Sequence, residues 1–170
     1  MFIRTSRLFL RPAWVEDSPA VAAALADAPH AAAAISSVSA GPAARGFIGG
    51  SSRVDEPNFL IFARDASSAQ LVGAIGFGRP DGKQLELGGW IRTSQQGLGY
   101  AGEAARALLE LGFEGLRRPI IHARHDATNA AAARLANRLG FSSADGRKGD
   151  VVLALTAEAW RESQSVALAA

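Results

Sequence analysis

The sequence predicts a single α/β domain of the α+β type, with a mixed, mostly antiparallel central sheet of about six to seven strands and about four flanking helices. Three strand-like runs lie close together between residues 58 and 92, and helix-like and strand-like segments alternate after them. The length of 170 residues is that of one domain, with no internal repeat and no long linker. We place the domain at residues 1–162 and expect a frayed tail at 163–170.

Composition excludes several classes of protein. The formal net charge is only +2 and the basic residues form no stripe, which argues against a nucleic-acid partner. The absence of cysteine excludes disulfide scaffolds and thiolate metal sites, and no histidine spacing suggests a metal. No apolar run approaches the ~20 residues of a membrane span, and the charged N-terminus is unlike a signal peptide. We therefore expect a cytoplasmic enzyme or binding module.

The N-terminal part of the chain predicts a strand followed by a helix. Residues Phe2–Arg11 have the alternation and apolar content of a strand. A helix capped by Asp17 or Ser18 follows and runs to Asp27. Residues 28–56 carry the weakest pattern, and we expect one or two short helices and a mobile loop there.

The middle of the chain predicts an antiparallel meander. Its three strands span residues 58–64, 71–79 and 84–92. Short turn-like segments at 65–70 and 80–82 connect them, as expected for hairpins.

Helices and strands alternate in the second half of the chain. The predicted elements are a helix at 100–115, a strand at 119–125, a helix opened by Thr128 or Asn129 and ended by Gly140, a turn at 145–149, a strand at 151–155 and a short helix capped by Thr156.

The most informative chemical motif is the run QQGLGYAGEA at residues 95–104, between a predicted strand and a predicted helix. A glycine-rich start of a helix presents free backbone N–H groups and the positive end of the helix dipole, and both bind phosphate. Gly97 and Gly99 allow a close backbone approach that side chains would block. The run therefore predicts a phosphate-binding loop, the alternative being a turn without a ligand.

Two families of phosphate-binding protein share such loops. Gly97, Gly99 and Gly102 match the dinucleotide fingerprint G-x-G-x-x-G. That fold needs the fingerprint in its first βα unit and an acidic residue about 20 positions later, whereas here a meander precedes it and position 122 is His. A dinucleotide-binding oxidoreductase is therefore the weaker alternative.

Gln96, Gly99 and Ala101 also fit Q/R-x-x-G-x-G/A, the pyrophosphate loop of the GNAT N-acetyltransferases, and the chain resembles that family. Three segments are similar to its RimJ/RimL-like branch, the ribosomal-protein N-terminal acetyltransferases and their relatives. They are residues 4–26, the stretch LELGGWIRTSQQGLGYAGEAARALLELGFEGL and residues 129–141.

The resemblance implies acetyl-CoA as co-substrate and no metal. It implies that backbone N–H groups of the loop hold the pyrophosphate, and that the preceding strand leaves its neighbour at a bulge and pairs with the pantetheine arm. The cofactor-binding residues it implies are Trp90, Ile91, Arg92, Gln96, Gly97, Leu98, Gly99, Tyr100, Ala101, Gly102, Asn129 and Arg134.

Glu86 is the predicted general base, because acetyl transfer requires the attacking amine to lose a proton. Strand alternation places it on the same face as Trp90, and it falls on a Glu position common in the branch. The alternative is a structural Glu that pairs with an Arg. His122, His125 and Asp126 are weaker candidates.

Three positions depart from the family's pattern. Ala136 stands where many of these enzymes have a Tyr that protonates the leaving thiolate, Ala132 where the branch often has Ser, and Gly89 where it usually has an aromatic residue. The general acid is therefore unassigned.

The predicted function is acetyl transfer from acetyl-CoA to a primary amine, a protein N-terminus or a small amine, by direct attack in a ternary complex. Because of these departures, a non-catalytic acyl-CoA-binding or regulatory module is the alternative function. A homodimer is compatible with the sequence.

Overall fold

The computed structural model describes residues 1–29, 54–64, 69–79, 83–144 and 150–168. Four of the sequence predictions lie largely or wholly outside these residues: the short helices and loop within 28–56, the two meander turns at 65–70 and 80–82, and the turn at 145–149.

Within these ranges the chain forms eight strands and four α-helices. The strands are β1 (Ile3–Arg4), β2 (Leu8–Arg11), β3 (Asn58–Arg64), β4 (Ala69–Gly78), β5 (Glu86–Ile91), β6 (Ile120–Asp126), β7 (Ser142–Ser143) and β8 (Asp150–Thr156). The helices are α1 (Ser18–Ala26), α2 (Tyr100–Glu110), α3 (Ala130–Leu139) and α4 (Ala157–Leu168).

The strands form one sheet in the order β1-β2-β3-β4-β5-β6-β8-β7. Among the described register pairs only β5–β6 is parallel, and the others are antiparallel. The predicted mixed, mostly antiparallel sheet is confirmed. The strand count exceeds the prediction because β1 and β7 have two residues each, too few to produce a recognisable alternation in the sequence.

The N-terminal strand prediction was wrong in one respect, because Phe2–Arg11 folds as two antiparallel strands with Ile3 opposite Leu10. The turn between them is closed by Thr5, whose backbone N–H donates to the Leu8 carbonyl at 3.0 Å. The Leu8 N–H in turn donates to the Thr5 hydroxyl at 2.9 Å. A threonine side chain that bonds its own backbone in this way favours a turn over a continuous strand.

The predicted capping residues of α3 and α4 are confirmed, whereas Asp17 occupies the N-cap position of α1 without a side-chain capping hydrogen bond. Asn129 accepts a hydrogen bond from the backbone N–H of Ala132 at the start of α3, and Gly140 ends that helix with φ of 89°. Thr156 accepts from the backbone N–H of Ala159 at the start of α4. That helix continues to Leu168, within the segment for which we expected a frayed tail. None of the helices in the described part of the chain is long and apolar enough for a membrane span.

The predicted helix at 100–115 is α-helical only to Glu110 and continues as a π turn over Leu111–Gly115. Gly112 lies in this turn, in close contact with two core side chains. A Cβ atom there would lie 2.5 Å from Cδ1 of Ile121 and 2.9 Å from Cζ of Phe77. Glycine at this position therefore permits the close packing of the turn.

The chain comprises two compact units, residues 1–76 with 89–104 and residues 77–88 with 105–170. The core of the first unit consists of buried side chains from α1, β3 and β4: Val21, Ala24, Leu25, Leu60, Leu71 and Ala74. The second unit buries side chains of α2, the π turn, β6, β8 and α4, and these include Leu108, Leu109, Phe113, Ile121, Leu155 and Trp160.

Two glycines allow β4 and β5 to approach each other closely. A Cβ atom on Gly73 would lie 2.1 Å from the Trp90 carbonyl oxygen, and one on Gly89 would lie 2.7 Å from the Ala74 carbonyl oxygen. The backbone at Gly89 therefore leaves no room for the aromatic side chain that the family resemblance leads one to expect at this position.

Replacing Gly89 by Ala should destabilise the fold by about 1–3 kcal/mol, since the added methyl group must displace the backbone of β4. Gly88→Ala is the matched control one residue earlier, because a Cβ atom there has no neighbour within 4 Å. That control should be neutral or more stable by up to about 1 kcal/mol, as expected for Gly→Ala in a strand. Urea unfolding of both variants measures the difference, and equal stabilities would contradict the close approach.

Candidate active site

The glycine-rich run connects β5 to α2 through a short 3-10 turn at Thr93–Gln95. Gly97 and Gly99 have φ angles of 79° and 84°, in the left-handed region where glycine is favoured. The first helical hydrogen bond runs from the Glu103 N–H to the Gly99 carbonyl at 3.1 Å. As in any α-helix, the N–H groups of the first turn have no partner within the helix and are available to an anion.

Asp27, just after α1, holds the chain where it leaves β5. Its carboxylate accepts hydrogen bonds from Arg92 Nε at 3.2 Å, from the Ser94 N–H at 3.3 Å and from the Ser94 hydroxyl. Its backbone carbonyl accepts from the Thr93 N–H at 2.7 Å. Hydrogen bonding from the Ser94 side chain is the main cause that lowers the pKa of Asp27. Nothing in the sequence pattern had marked Asp27 for this role.

Arg92, a predicted cofactor-binding residue, has several partners in the protein. Besides its contact with Asp27, its guanidinium donates to the Leu71 carbonyl at 3.4 Å. Its backbone N–H donates to the Val72 carbonyl at 2.8 Å. In this structure Arg92 thus fastens the end of β5 to α1 and β4.

Glu103, in the first turn of α2, accepts hydrogen bonds from a turn near the N-terminus. Its Oε1 accepts from the Thr5 hydroxyl at 2.5 Å, the Ser6 hydroxyl at 3.0 Å and the Arg7 N–H at 2.8 Å. Its Oε2 accepts from Arg7 Nε at 2.8 Å. Burial raises the pKa of Glu103, but these hydrogen bonds outweigh it and lower the pKa to about 2.

Arg7 contacts the glycine-rich loop as well as the Glu103 carboxylate. Its Nη1 donates to the Leu98 carbonyl at 3.0 Å, and its guanidinium carbon lies 5.2 Å from the centroid of the Tyr100 ring. Sequence reasoning did not select Arg7 or Glu103. The available signal for Arg7 was the opening segment at residues 4–26, whose resemblance to the family covers Thr5 and Arg7, two of the residues that donate to Glu103.

Three other predicted cofactor residues of β5 and the loop differ in their burial and hydrogen bonding. Trp90 is half-buried and packs against the core of the first unit, and its indole N–H has no hydrogen-bond partner among the described residues. Gln96 is exposed and donates to the Ile91 carbonyl at 3.2 Å. Leu98 is half exposed at the tip of the loop.

Glu86 lies at the start of β5 and is 8% exposed. Its carboxylate pairs with Arg124 of β6, with Oε1 2.7 Å from Nη2 and Oε2 3.4 Å from Nε. This is the ion pair that the sequence left open as the alternative to a general base. The pair does not test the catalytic assignment of Glu86, which stays a prediction.

His122 stands opposite Glu86 in the parallel register of β5 and β6. Side chains alternate along a strand, so Arg124, two residues later, shares the face of His122. His122 is 9% exposed, and its Nδ1 has no hydrogen-bond partner within the described ranges. The buried Glu86 and His122 and the more exposed Arg124 therefore form a polar cluster on one face.

The ladder between β5 and β6 is short. It consists of the register pairs Glu86–His122 and Leu87–Ala123, although β5 continues to Ile91 and β6 to Asp126. The backbone of β5 after Leu87 thus has no β6 partner in the described ladder.

His125 and Asp126, the weaker candidates, serve the turn after β6. His125 Nδ1 lies 2.8 Å from the Asp126 carbonyl oxygen. The Asp126 carboxylate accepts from the Thr128 N–H at 2.7 Å and from the Thr128 hydroxyl at 2.5 Å, and the hydroxyl bond is the main cause that lowers the pKa of Asp126. In the described part of the chain no group of three His, Cys, Asp or Glu side chains is arranged to hold a metal.

Helix α3 presents the other predicted cofactor residues. The Asn129 side-chain oxygen accepts from the Ala132 N–H at 3.0 Å, so Asn129 is an N-cap. Arg134 is exposed on the same helix. Ala136 is 7% exposed and packs inward, so the position matched to the family's tyrosine has no titratable group and lies in the core.

A family model for the acetyltransferase (GNAT) domain matches residues 7–142. A GNAT-family acetyltransferase from Bacillus anthracis superposes with a TM-score of 0.73 at 24% identity, over 93% of this chain and 99% of that one. An acetyltransferase from Agrobacterium tumefaciens superposes with a TM-score of 0.69 at 25% identity, over 91% of this chain and 94% of that one. No curated protein matches the sequence.

The solved structure of RimL, a ribosomal L7/L12 alpha-N-protein acetyltransferase in complex with coenzyme A, is also similar. Its TM-score is 0.75 at 20% identity, over 94% of this chain and 99% of that one. The single parallel strand pair among the described registers is unlike a dinucleotide-binding fold, which needs several. The acyl-CoA interpretation of the glycine-rich run is therefore favoured over the dinucleotide interpretation.

Glu103 should contribute to stability in a pH-dependent way. Its lowered pKa means that the unfolded chain binds the proton first as the pH falls. The stability that wild type gains over Glu103→Gln should be constant above about pH 4.5 and shrink as the pH falls towards about 2. Thermal unfolding at several pH values measures this, with Glu110→Gln, an exposed position on the same helix, as control. A difference that stays constant down to pH 2 would contradict the hydrogen-bonded carboxylate.

Proposed function

We propose that this chain, which belongs to the GNAT acetyltransferase family, moves the acetyl group of acetyl-CoA to a primary amine by direct attack in a ternary complex. Acetyl transfer is the activity of the family. The observation that carries the finer assignment is the loop before α2, where two glycines with positive φ lead into a helix.

The loop supports a pyrophosphate site in three ways. Gly97 and Gly99 have no side chain and take positive φ angles, so the backbone of the loop is accessible to a phosphate. The N–H groups of the first turn of α2 have no partner within the helix. The helix dipole adds a partial positive charge at the same end. We assign the pyrophosphate of acetyl-CoA to the backbone N–H groups of residues 98–102.

We assign the pantetheine arm to the second half of β5, at Trp90 and Ile91. The backbone after Leu87 is outside the described ladder with β6, so its peptide groups are candidates to pair with the amides of pantetheine. A backbone N–H of this strand would also stabilise the oxyanion that forms on the thioester carbonyl, and such donors are worth about 3 kcal/mol of barrier.

On α3, Asn129 and Arg134 are the proposed contacts from the next helix. The side-chain oxygen of Asn129 is engaged as an N-cap, which leaves its amide NH₂ as the group that would donate to the cofactor. Arg134 is exposed and would meet the phosphates of the nucleotide.

In the proposed reaction the amine nitrogen attacks the thioester carbon, and the carbon–sulfur bond then breaks to release CoA as a thiolate. Before this attack, Glu86 takes one proton from the ammonium form of the acceptor, directly or through water, which frees the nitrogen lone pair. Arg124 fixes the orientation of that carboxylate. Thiols have pKa values near ~8.5, so the thiolate leaves at modest cost and the ammonium of the intermediate supplies its proton. A dedicated acid at Ala136 is not required.

The acceptor is proposed as a primary amine, either a protein N-terminus or a small amine. RimL acts on the N-terminus of a ribosomal protein, and its likeness to this chain supports including peptide N-termini among the acceptors to be tested. A panel of N-terminal peptides, polyamines and amino acids, followed by thiol release and mass spectrometry, identifies the acceptor. Binding of acetyl-CoA without thiol release on any amine would favour the non-catalytic module.

Gly99→Val should weaken acetyl-CoA binding by at least tenfold, because a β-branched residue is strained at φ of 84° and its Cβ atom would lie 3.2 Å from Arg7 Nη2, so the loop must change shape. Gly140→Val is the matched control, since Gly140 has φ of 89° at the end of α3. It should lose similar stability and keep its affinity. Calorimetric titration measures both, and an unchanged affinity of Gly99→Val would refute the loop assignment.

Glu86→Gln should lower the rate by about 10²-fold, with the acetyl-CoA affinity nearly unchanged. Arg124→Met separates the two roles of Glu86, because it breaks the ion pair and keeps the carboxylate. If Glu86 is the base, Arg124→Met loses less of the rate than Glu86→Gln, because the carboxylate is kept and only its orientation by Arg124 is lost. Glu114→Gln, which breaks the exposed pair with Arg161, is the control for losing a salt bridge. Equal losses in Glu86→Gln and Arg124→Met would assign Glu86 a structural role only.

A further inference from the structure

We propose that Glu103 and the turn Thr5–Arg7 form a clasp that holds the phosphate-binding loop in its binding conformation. Glu103 and Arg7 are then positioning residues, which act on the pyrophosphate site through the backbone of the loop. This inference rests on the proposed function of the loop and assigns a role to residues that the proposed mechanism does not use.

The clasp concentrates several hydrogen bonds on one carboxylate. Glu103 accepts from two hydroxyls, a backbone N–H and a guanidinium N–H, all within 2.5–3.0 Å. Hydrogen bonds to an ionised acceptor are about twice as strong as neutral ones. Because the donors belong to one turn of three residues, the carboxylate fixes that turn as a unit against the first turn of α2.

Arg64 of β3 holds the same turn from another strand. Its Nη2 donates to the Thr5 carbonyl at 2.8 Å and to the Ser6 carbonyl at 2.7 Å. Its backbone N–H donates to the Arg7 carbonyl at 2.9 Å. The turn is therefore anchored to the sheet, so that Glu103 binds a fixed partner and not a mobile N-terminal arm.

Arg7 extends the clasp to the Leu98–Gly99 peptide, which lies between the two glycines of positive φ. Its Nη1 donates to the Leu98 carbonyl. In a trans peptide the carbonyl and the following N–H point in opposite directions, so this bond directs the Gly99 N–H away from Arg7. The orientation of one of the proposed phosphate donors is thus set by Arg7.

The charges of the clasp also suit an anion site. An unpaired carboxylate in the first turn of α2 would repel the phosphates of the substrate. Arg7 pairs with Glu103 at 2.8 Å and remains 52% exposed, so the pair adds no net negative charge beside the loop. The loop is thereby held in shape without weakening its attraction for anions.

The test compares two acyl donors that differ in the pyrophosphate. Acetyl-CoA affinity is measured by calorimetry, and that of S-acetylpantetheine, which lacks the pyrophosphate and the nucleotide, by ligand-observed NMR. Glu103→Gln and Arg7→Lys should each weaken acetyl-CoA about tenfold and change S-acetylpantetheine less than twofold. Lysine keeps the charge of Arg7 and cannot reach both Glu103 and the Leu98 carbonyl.

Asp17→Asn is the matched control, because Asp17 forms a comparable bidentate pair with Arg11 at 2.7 Å and does not contact the loop. It should leave both affinities unchanged. If Glu103→Gln does not fold, Thr5→Val and Ser6→Ala remove one donor each and should weaken acetyl-CoA by smaller factors.

The outcomes are distinguishable. If the variants lose affinity equally for acetyl-CoA and S-acetylpantetheine, or lose affinity for neither, the clasp is not a positioning device. If the wild type itself binds acetyl-CoA no better than S-acetylpantetheine, the proposed pyrophosphate site fails, whatever the variants do. A selective loss of acetyl-CoA in Glu103→Gln and Arg7→Lys, with Asp17→Asn unchanged, supports the clasp.

Discussion

The carboxylate of Glu103 is the contact on which the loop region most depends. It joins a turn at residues 5–7 to the first turn of α2, and the loop lies immediately before that helix. Glycines with positive φ make the loop intrinsically free to adopt other conformations, which costs entropy when a ligand orders it. A loop held by its own protein before binding avoids part of that cost.

Asp27 complements Glu103 at the other end of the same segment. It binds Arg92, Thr93 and Ser94 where the chain leaves β5, so one carboxylate holds the start of the loop region and another holds its end. Both carboxyl groups have lowered pKa values because the folded protein donates hydrogen bonds to their ionised forms. Gly97 and Gly99, between these two carboxylates, have the positive φ angles that this fixed loop conformation requires.

The Glu86–Arg124 pair bears on the proposed role of Glu86 as the general base, because the carboxylate is buried and paired in the folded protein. Removing one partner of such a pair leaves the other poorly solvated, so a loss of rate in Glu86→Gln alone has two explanations. His122, adjacent on β6 and with an unpartnered Nδ1 in the described structure, shares the same face. The polar groups on this face therefore belong to three side chains, those of Glu86, Arg124 and His122.

Local patterns determined both ends of α3, the start of α4 and the extent of β3, because caps such as Asn129 and Thr156 act within a few residues and strand alternation needs no distant partner. Local glycine chemistry likewise located the loop. Tertiary structure alone decided the two-residue strands, the space at Gly89 and the partners of Glu86 and Glu103. Thr5 and Glu103 are 98 residues apart, and Glu86 and Arg124 are 38 apart. The periodicity of a single segment does not indicate which residues far apart in the sequence form pairs.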